Sequence, residues 1–162
     1  MQPLPPVAAQ AARETPPDDR LYPRRPIVGV GVVVWRGEEV LLIRRGRPPR
    51  QGDWSIPGGA QEIGETVAEA GRREVREETG VEVEITGLVA VVDSIRPDEE
   101  GRIRSHYTLI DLAGEWRGGE LLPGDDADDC RWVPLDALDG YGLWSETLRI
   151  IRLAAGMRAG RG

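Results

Sequence analysis

Lysine, asparagine and phenylalanine do not occur anywhere in the 162 residues, so all 21 basic side chains are arginine. All three missing types have AT-rich codons. A GC-rich genome accounts for their absence, which carries no functional message. Cysteine occurs once, at Cys130, which excludes an internal disulfide. No apolar run approaches the roughly 18–20 residues of a membrane-spanning helix. The longest, Ile27 to Trp35, is a strand's length, and the N-terminus has no basic-then-apolar leader pattern. A soluble, cytoplasmic protein is expected, with no membrane partner. Formal net charge is −7. That excess argues against a nucleic-acid partner, whose affinity rests on neutralised phosphates, but allows a small phosphorylated ligand held through a cation.

What is present suggests one domain with a single core. Residues 1–26 hold seven of the thirteen prolines and no apolar periodicity, which predicts an extended segment. Ile27–Trp35 and Glu39–Arg44, separated by Arg36-Gly37-Glu38, read as a strand pair. Gly52–Gly59 is a short strand-like piece ending in Pro57-Gly58-Gly59. Thr66 to Thr79 lacks proline, is rich in Ala, Glu and Arg, and stops at Gly80, which predicts a helix. Val81–Ile95, Ile103–Leu112 and Arg131–Leu135 read as strands, and Leu143–Ala155 as a closing helix. Strands mixed with two helices imply an α/β or α+β fold with a mixed sheet.

The helix ending at Gly80 carries the chemistry. On a wheel of about 100° per residue, Val67, Ala68, Ala70, Gly71 and Val75 fall on the inward arc. Arg72, Arg73, Arg76 and Glu69 fall opposite, where they can be solvated. Glu74, Glu77 and Glu78 overlap the inward arc, and their i, i+3, i+4 spacing makes them neighbours. Clustered carboxylates repel, and burial raises the cost of their charge. A purely solvated acidic face would lie opposite the valines. A hard divalent cation such as Mg²⁺ resolves the conflict, and such a site usually serves phosphates. Pro57-Gly58-Gly59 lets backbone approach a ligand closely.

Gly59, Glu65, Arg73-Glu74-Val75, Glu77-Glu78 and Gly80-Val81, at these spacings, resemble a complete Nudix box. Trp54-Ser55-Ile56-Pro57-Gly58-Gly59 before it and Arg131-Trp132-Val133-Pro134-Leu135 after it extend the likeness over about Pro26 to Ala155. The resemblance implies an α/β/α sandwich with a mixed β-sheet. It also implies Mg²⁺- or Mn²⁺-dependent hydrolysis of a small nucleotide substrate, a nucleoside diphosphate linked to another moiety. The domain is expected over 27–155, with a proline-rich extension at 1–26 and a tail at 156–162. In some relatives such an extension reaches across a homodimer.

Carried onto this chain, the resemblance makes Glu74 and Glu78 the principal metal ligands, helped by the Gly58 carbonyl. Glu77 would bind a further metal or orient metal-bound water, and Glu65 with Arg73 would form a supporting ion pair. A general base in this family often lies on a loop outside the box. Asp126, in the acidic loop Asp125-Asp126-Ala127-Asp128-Asp129 about six residues ahead of Trp132, is the candidate. His106, the single histidine, lies inside a predicted strand and is the weaker choice. Arg44 or Arg45 could grip phosphate, but alternation sends them to opposite faces, so at most one should reach the site. Trp54 could stack on a base. Pro97 stands 16 residues beyond Val81, a spacing found in family members that act on ADP-ribose. The expected activity is therefore hydrolysis of ADP-ribose or a similar compound to AMP and a sugar phosphate. The alternatives are a MutT-like nucleoside triphosphate pyrophosphohydrolase and a non-catalytic ligand-sensing module.

Overall fold

Strand β1 (Ile27–Arg36) is a nearly unbroken aliphatic run because both its faces are covered. Val30, Val32 and Val34 enter one core with Leu41, Ile43, Ala70, Val75 and Leu112. Val33 and Trp35 enter a second core with Val40, Leu42, Ile56, Ile150 and Ile151. The computed structural model, which describes residues 19–47, 50–124 and 126–161, is thus a sheet between two helical layers. The first layer is helix α1 (Val67–Thr79), and the second is helix α2 (Ser145–Ala159), preceded by a 3₁₀ segment at Leu135–Tyr141.

The remaining strands are β2 (Glu39–Arg45), β3 (Trp54–Ser55), β4 (Gly58–Ala60), β5 (Glu82–Pro97), β6 (Ile103–Gly118) and β7 (Ala127–Pro134). The path β3-β2-β1-β6-β5 is flanked by β4 on β1 and β7 on β2. β1 and β6 run parallel while the other pairs are antiparallel, so the sheet is mixed. β1 pairs with β2 only at Trp35↔Val40 and Arg36↔Glu39. Beyond that hairpin end the two strands part, β4 taking the free edge of β1 and β3 that of β2. The acidic helix docks at this seam.

Several boundaries differ from the sequence reading for identifiable reasons. β6 continues past Leu112 to Gly118, since its parallel register with β1 runs on to Trp35↔Glu115. The stretch expected as an acidic loop is instead partly strand. Ala127 and Cys130 are buried, β7 begins at Ala127, and of the described residues in that stretch Asp126 stays in the preceding turn. Residues 1–18 of the expected proline-rich extension, Pro48, Pro49 and Asp125 lie outside the described residues. Within the described part of that extension, Tyr22 packs on the β5–β6 turn. Its N–H donates to the Arg104 carbonyl at 2.8 Å and its hydroxyl to Asp98 Oδ2 at 2.9 Å. Among the described residues no helix is long and apolar enough to cross a membrane.

Candidate active site

Local sequence fixes where α1 begins and ends. Thr66 caps it: its hydroxyl accepts from the Glu69 N–H at 3.1 Å, and Glu69 Oε2 accepts from the Thr66 N–H at 2.7 Å. Gly80 closes it in the left-handed region at φ 74°. The chain between β6 and β7 then wraps this C-terminal end. Leu122 N–H donates to the Thr79 carbonyl and Gly124 N–H to the Glu78 carbonyl, both at 2.9 Å. A side chain at Gly124 would collide with the Glu77 carbonyl, so this approach needs glycine. The contact holds the Asp126 turn against the acidic end of the helix.

The three glutamates are graded in depth. Glu78 is buried, its Oε2 accepting from the Gly58 N–H at 3.1 Å. Glu74 is 15% exposed and Glu77 is 58% exposed at the rim. Gly58 thus meets Glu78 through its amide, a contact separate from the metal-ligand role that the resemblance implied for its carbonyl. Glu74 presses its carboxylate against Gly59, where a Cβ would lie on the carboxylate atoms. Gly59 therefore makes space for the Glu74 carboxylate, while a Cβ at Gly58 would strike the β1 backbone at Val30 and Gly31.

Arg73 organises the cluster. Its guanidinium forks onto Glu65, Nη2 to Oε1 at 2.7 Å and Nε to Oε2 at 3.0 Å. It also donates to Glu74 Oε1 at 2.8 Å, Glu77 Oε2 at 3.2 Å and the Ala60 carbonyl at 3.1 Å. The wheel put Arg73 on the solvated face, yet its side chain is only 17% exposed. The Cβ does point away from the core, but the long side chain folds back toward the β4 segment.

The electrostatics follow from these contacts. The Arg73 fork, with a backbone hydrogen bond from Glu62, holds the Glu65 carboxyl down at about 2. Burial pushes Glu78 up to about 8; the Gly58 amide and the Arg45 charge oppose the rise, and Glu74 and Asp126 add to it. Burial also raises Glu74, against the pull of Arg73. Two acids kept from water and sharing one field are the arrangement that a divalent cation relieves. Among the described residues no three His, Cys, Asp or Glu side chains converge into a ready-made metal cluster. Glu77 is turned to Arg73 and out of such a set. Glu74 and Glu78 still fit Mg²⁺, which takes one or two carboxylates and fills its other positions with substrate oxygens and water.

Of the other expected residues, Arg45 and Asp126 reach this field and Arg44 and Trp54 do not. Arg45 has the parity of Leu41 and Ile43, whose side chains enter the α1-side core, and its charge acts on Glu78. Asp126 is 62% exposed and pairs with Arg47 Nε at 2.8 Å. Arg44 lies opposite Trp54 in the β2–β3 register, with its guanidinium 5.9 Å from that ring. Trp54 meets Tyr141 edge-on at 5.1 Å and packs on the α2-side core, which gives it structural work. His106 pairs with Ile95 in the β5–β6 ribbon. Pro97 is the last residue of β5, where Asp98 Oδ1 accepts from the Glu100 and Arg102 N–H groups at 2.9 Å to close the turn. Arg47 escaped the sequence reading. Its partner Asp126 stands 79 residues away in the chain, and no local pattern announces that meeting.

The NUDIX domain family model matches residues 25–153. An ADP-ribose pyrophosphatase of Methanocaldococcus jannaschii is 38% identical over 119 residues, covering 74% of this chain and 68% of that protein. The chain belongs to the Nudix family. The 8-oxo-dGDP phosphatase NUDT18 of Homo sapiens is 32% identical over 151 residues, covering 91% of this chain but 44% of its own length. Among solved structures, a MutT NUDIX hydrolase from Burkholderia pseudomallei superimposes with a TM-score of 0.68 at 30% identity. That match covers 80% of this chain and 98% of the other. The Nudix box is thus the segment that spans β4, α1 and the turn into β5, and the graded glutamates are its acidic positions. The family's members are pyrophosphate-bond hydrolases, and the fold is theirs.

Proposed function

We propose that this Nudix protein hydrolyses ADP-ribose or a closely similar nucleoside diphosphate linked to another moiety, giving AMP and a sugar phosphate. One observation carries the reading: two carboxylates of unequal depth, Glu74 and Glu78, meet a glycine-lined approach with Arg45 acting on the deeper one. The M. jannaschii relative, matched over two thirds of its length, supports the choice of ADP-ribose.

In this reading Glu74 and Glu78 hold Mg²⁺ or Mn²⁺. A bound divalent cation neutralises phosphate oxygens and lowers the pKa of coordinated water. Arg45 orients the diphosphate and offsets its charge. Arg73 keeps Glu74 and Glu77 aimed, with Glu65 returning the guanidinium to one position. Glu77 or Asp126, both exposed at the rim, takes the proton from the attacking water. The setting proposed is the cytoplasm. A homodimer is also proposed; a chain starting at Ile27 that keeps the full-length oligomeric state would remove residues 1–26 from any part in it.

A second reading, a nucleoside triphosphate pyrophosphohydrolase, is supported by the match to 98% of the B. pseudomallei MutT protein. Product identification separates them. Incubation with Mg²⁺ should release AMP and ribose 5-phosphate from ADP-ribose. Pyrophosphate released from nucleoside triphosphates, with ADP-ribose left intact, would favour the second reading.

A further inference from the structure

On the α2 side of the sheet, across it from the glutamates, the β1–β2 hairpin and the C-terminal end of α2 border an open cleft of about 410 Å³. Trp35, the next-to-last residue of β1, forms one wall, and Leu135, Ala155 and Ala159 extend it as an apolar surface. Trp35 belongs to the α2-side core with Ile150 and Ile151 and is only 2% exposed. Its Nε1–H nevertheless has no hydrogen-bond partner, the one buried side-chain polar atom so placed among the described residues. An indole N–H can only donate, and a buried donor left unpaired calls for an explanation.

The nearest cation does not supply one, because it is committed elsewhere. The Arg158 guanidinium lies 5.1 Å from the centroid of the Trp35 ring. It donates from Nε to Glu115 Oε1 and from Nη1 to the Gly37 carbonyl, both at 2.7 Å. Arg158 is thus a fixed part of the wall with its charge balanced.

Two other charges line the cleft and are not committed. Arg161, just past α2, lays its guanidinium against Gly87 of β5, where a Cβ would come 3.0 Å from Nη2. Glu38 comes from the turn between β1 and β2. Among the described residues neither side chain makes a hydrogen bond or an ion pair, with the other or with any neighbour. Opposite charges that share a cleft without meeting are both matched by a ligand carrying both signs. A carboxylate has lone pairs for two donors, the Arg161 guanidinium and the Trp35 N–H. An ammonium has protons for Glu38, and the indole, Leu135 and the two alanines take an apolar body out of water. A phosphate dianion suits the cleft less well, since Glu38 and the carbonyl end of α2 oppose added negative charge. The N–H is closed to solvent as the cleft stands. A carboxylate therefore reaches it with a small shift of the ring or of the Arg158 guanidinium over it.

We propose that this cleft is a second ligand site, which binds a small zwitterionic amino acid with an apolar side chain. The proposal is independent of which nucleotide the glutamate site cleaves.

The experiment titrates the full chain, in chelator, with L-leucine, with leucinamide, which lacks the carboxylate, and with 4-methylpentanoate, which lacks the ammonium. Affinity is read by calorimetry. The donor is read from the indole N–H resonances of ¹⁵N-labelled protein, Trp35 being assigned by its loss in Trp35→Phe. L-Leucine should shift the Trp35 resonance saturably and bind about ten-fold or more tightly than either analogue, the range of a hydrogen bond to a charged group. Arg161→Gln should erase the preference over leucinamide, and Glu38→Gln the preference over 4-methylpentanoate. Each removes one exposed charge, so both variants should melt as the wild type does. Glu78→Gln should bind L-leucine with unchanged affinity. No saturable shift at Trp35, equal affinity for the three compounds, or preferences that survive both substitutions would each overturn the assignment.

Discussion

At the scale of single residues, Arg73 shows how far a helical period can be trusted. The period states where a Cβ points and says nothing of where a guanidinium four bonds further on comes to rest. The wheel therefore misplaced Arg73, while the motif resemblance, which carries no geometry, paired it with Glu65. The fork to Glu65 and the bonds to Glu74, Glu77 and Ala60 use donors in a fixed plane that lysine cannot reproduce. Arg73→Lys should fold, lose ten-fold or more in kcat, and melt a few degrees lower. Arg73→Ala strands four carboxylate and carbonyl acceptors and should cost on the order of 2–4 kcal/mol in urea denaturation. Full activity in Arg73→Lys would show that the fork does not position Glu74. Arg45 over Arg44 was decided by strand parity alone, and the sequence already said that only one of them would serve.

At the scale of elements, α1 was readable because its signals are local: a threonine cap, a glutamate three residues on, and glycine at the stop. Thr66→Ala should cost about 1 kcal/mol, measured by urea denaturation, with little change in kcat. β7 and the end of β6 were not readable in the same way. Their polar residues, such as Glu115, Arg117, Asp128 and Asp129, are strand residues only because a neighbouring strand continues past them. Pairing partners remote in sequence decide that, and no window of the chain contains them. The β4 segment belongs to both classes. Its glycines were visible, but which atoms they make room for was not. Gly59→Ala puts a methyl group onto the Glu74 carboxylate. Because Glu74 is a side chain at a partly open site, the structure can yield by moving it. The expected result is a folded protein with kcat lowered by ten-fold or more and weaker Mg²⁺ binding by titration. A Gly59→Ala variant with unaltered Mg²⁺ affinity would mean that Glu74 does not hold the cation where it now rests.

At the scale of the whole molecule, the buried acids set how stability depends on pH. Glu78 ionises near its ordinary 4.5 when unfolded and at about 8 when folded without metal. Between those values the folded chain keeps a proton that the unfolded chain has released, so stability falls as pH rises through that window. Asp111, raised from 3.8 to about 6, adds to the fall over its lower part. Glu65 works the other way: held at about 2, it contributes stability above 4.5 that is lost as pH drops toward 2. Metal-free protein should therefore be most stable in weak acid, and between pH 6 and 8 its decline should come mainly from Glu78. A cation binds only the carboxylate form, so the stabilisation gained from Mg²⁺ should grow over that interval. Thermal melts at pH 4.5, 6 and 8, in chelator and in Mg²⁺, test this with Glu78→Gln alongside. The variant should lose the decline between pH 6 and 8 and most of the pH-dependent Mg²⁺ gain, and its turnover should fall by orders of magnitude because a neutral amide is a poor ligand. If the wild type in chelator shows the same slope from pH 6 to 8 as Glu78→Gln, the buried carboxyl is not where the strain resides, and the argument for a cation at Glu78 loses its physical basis.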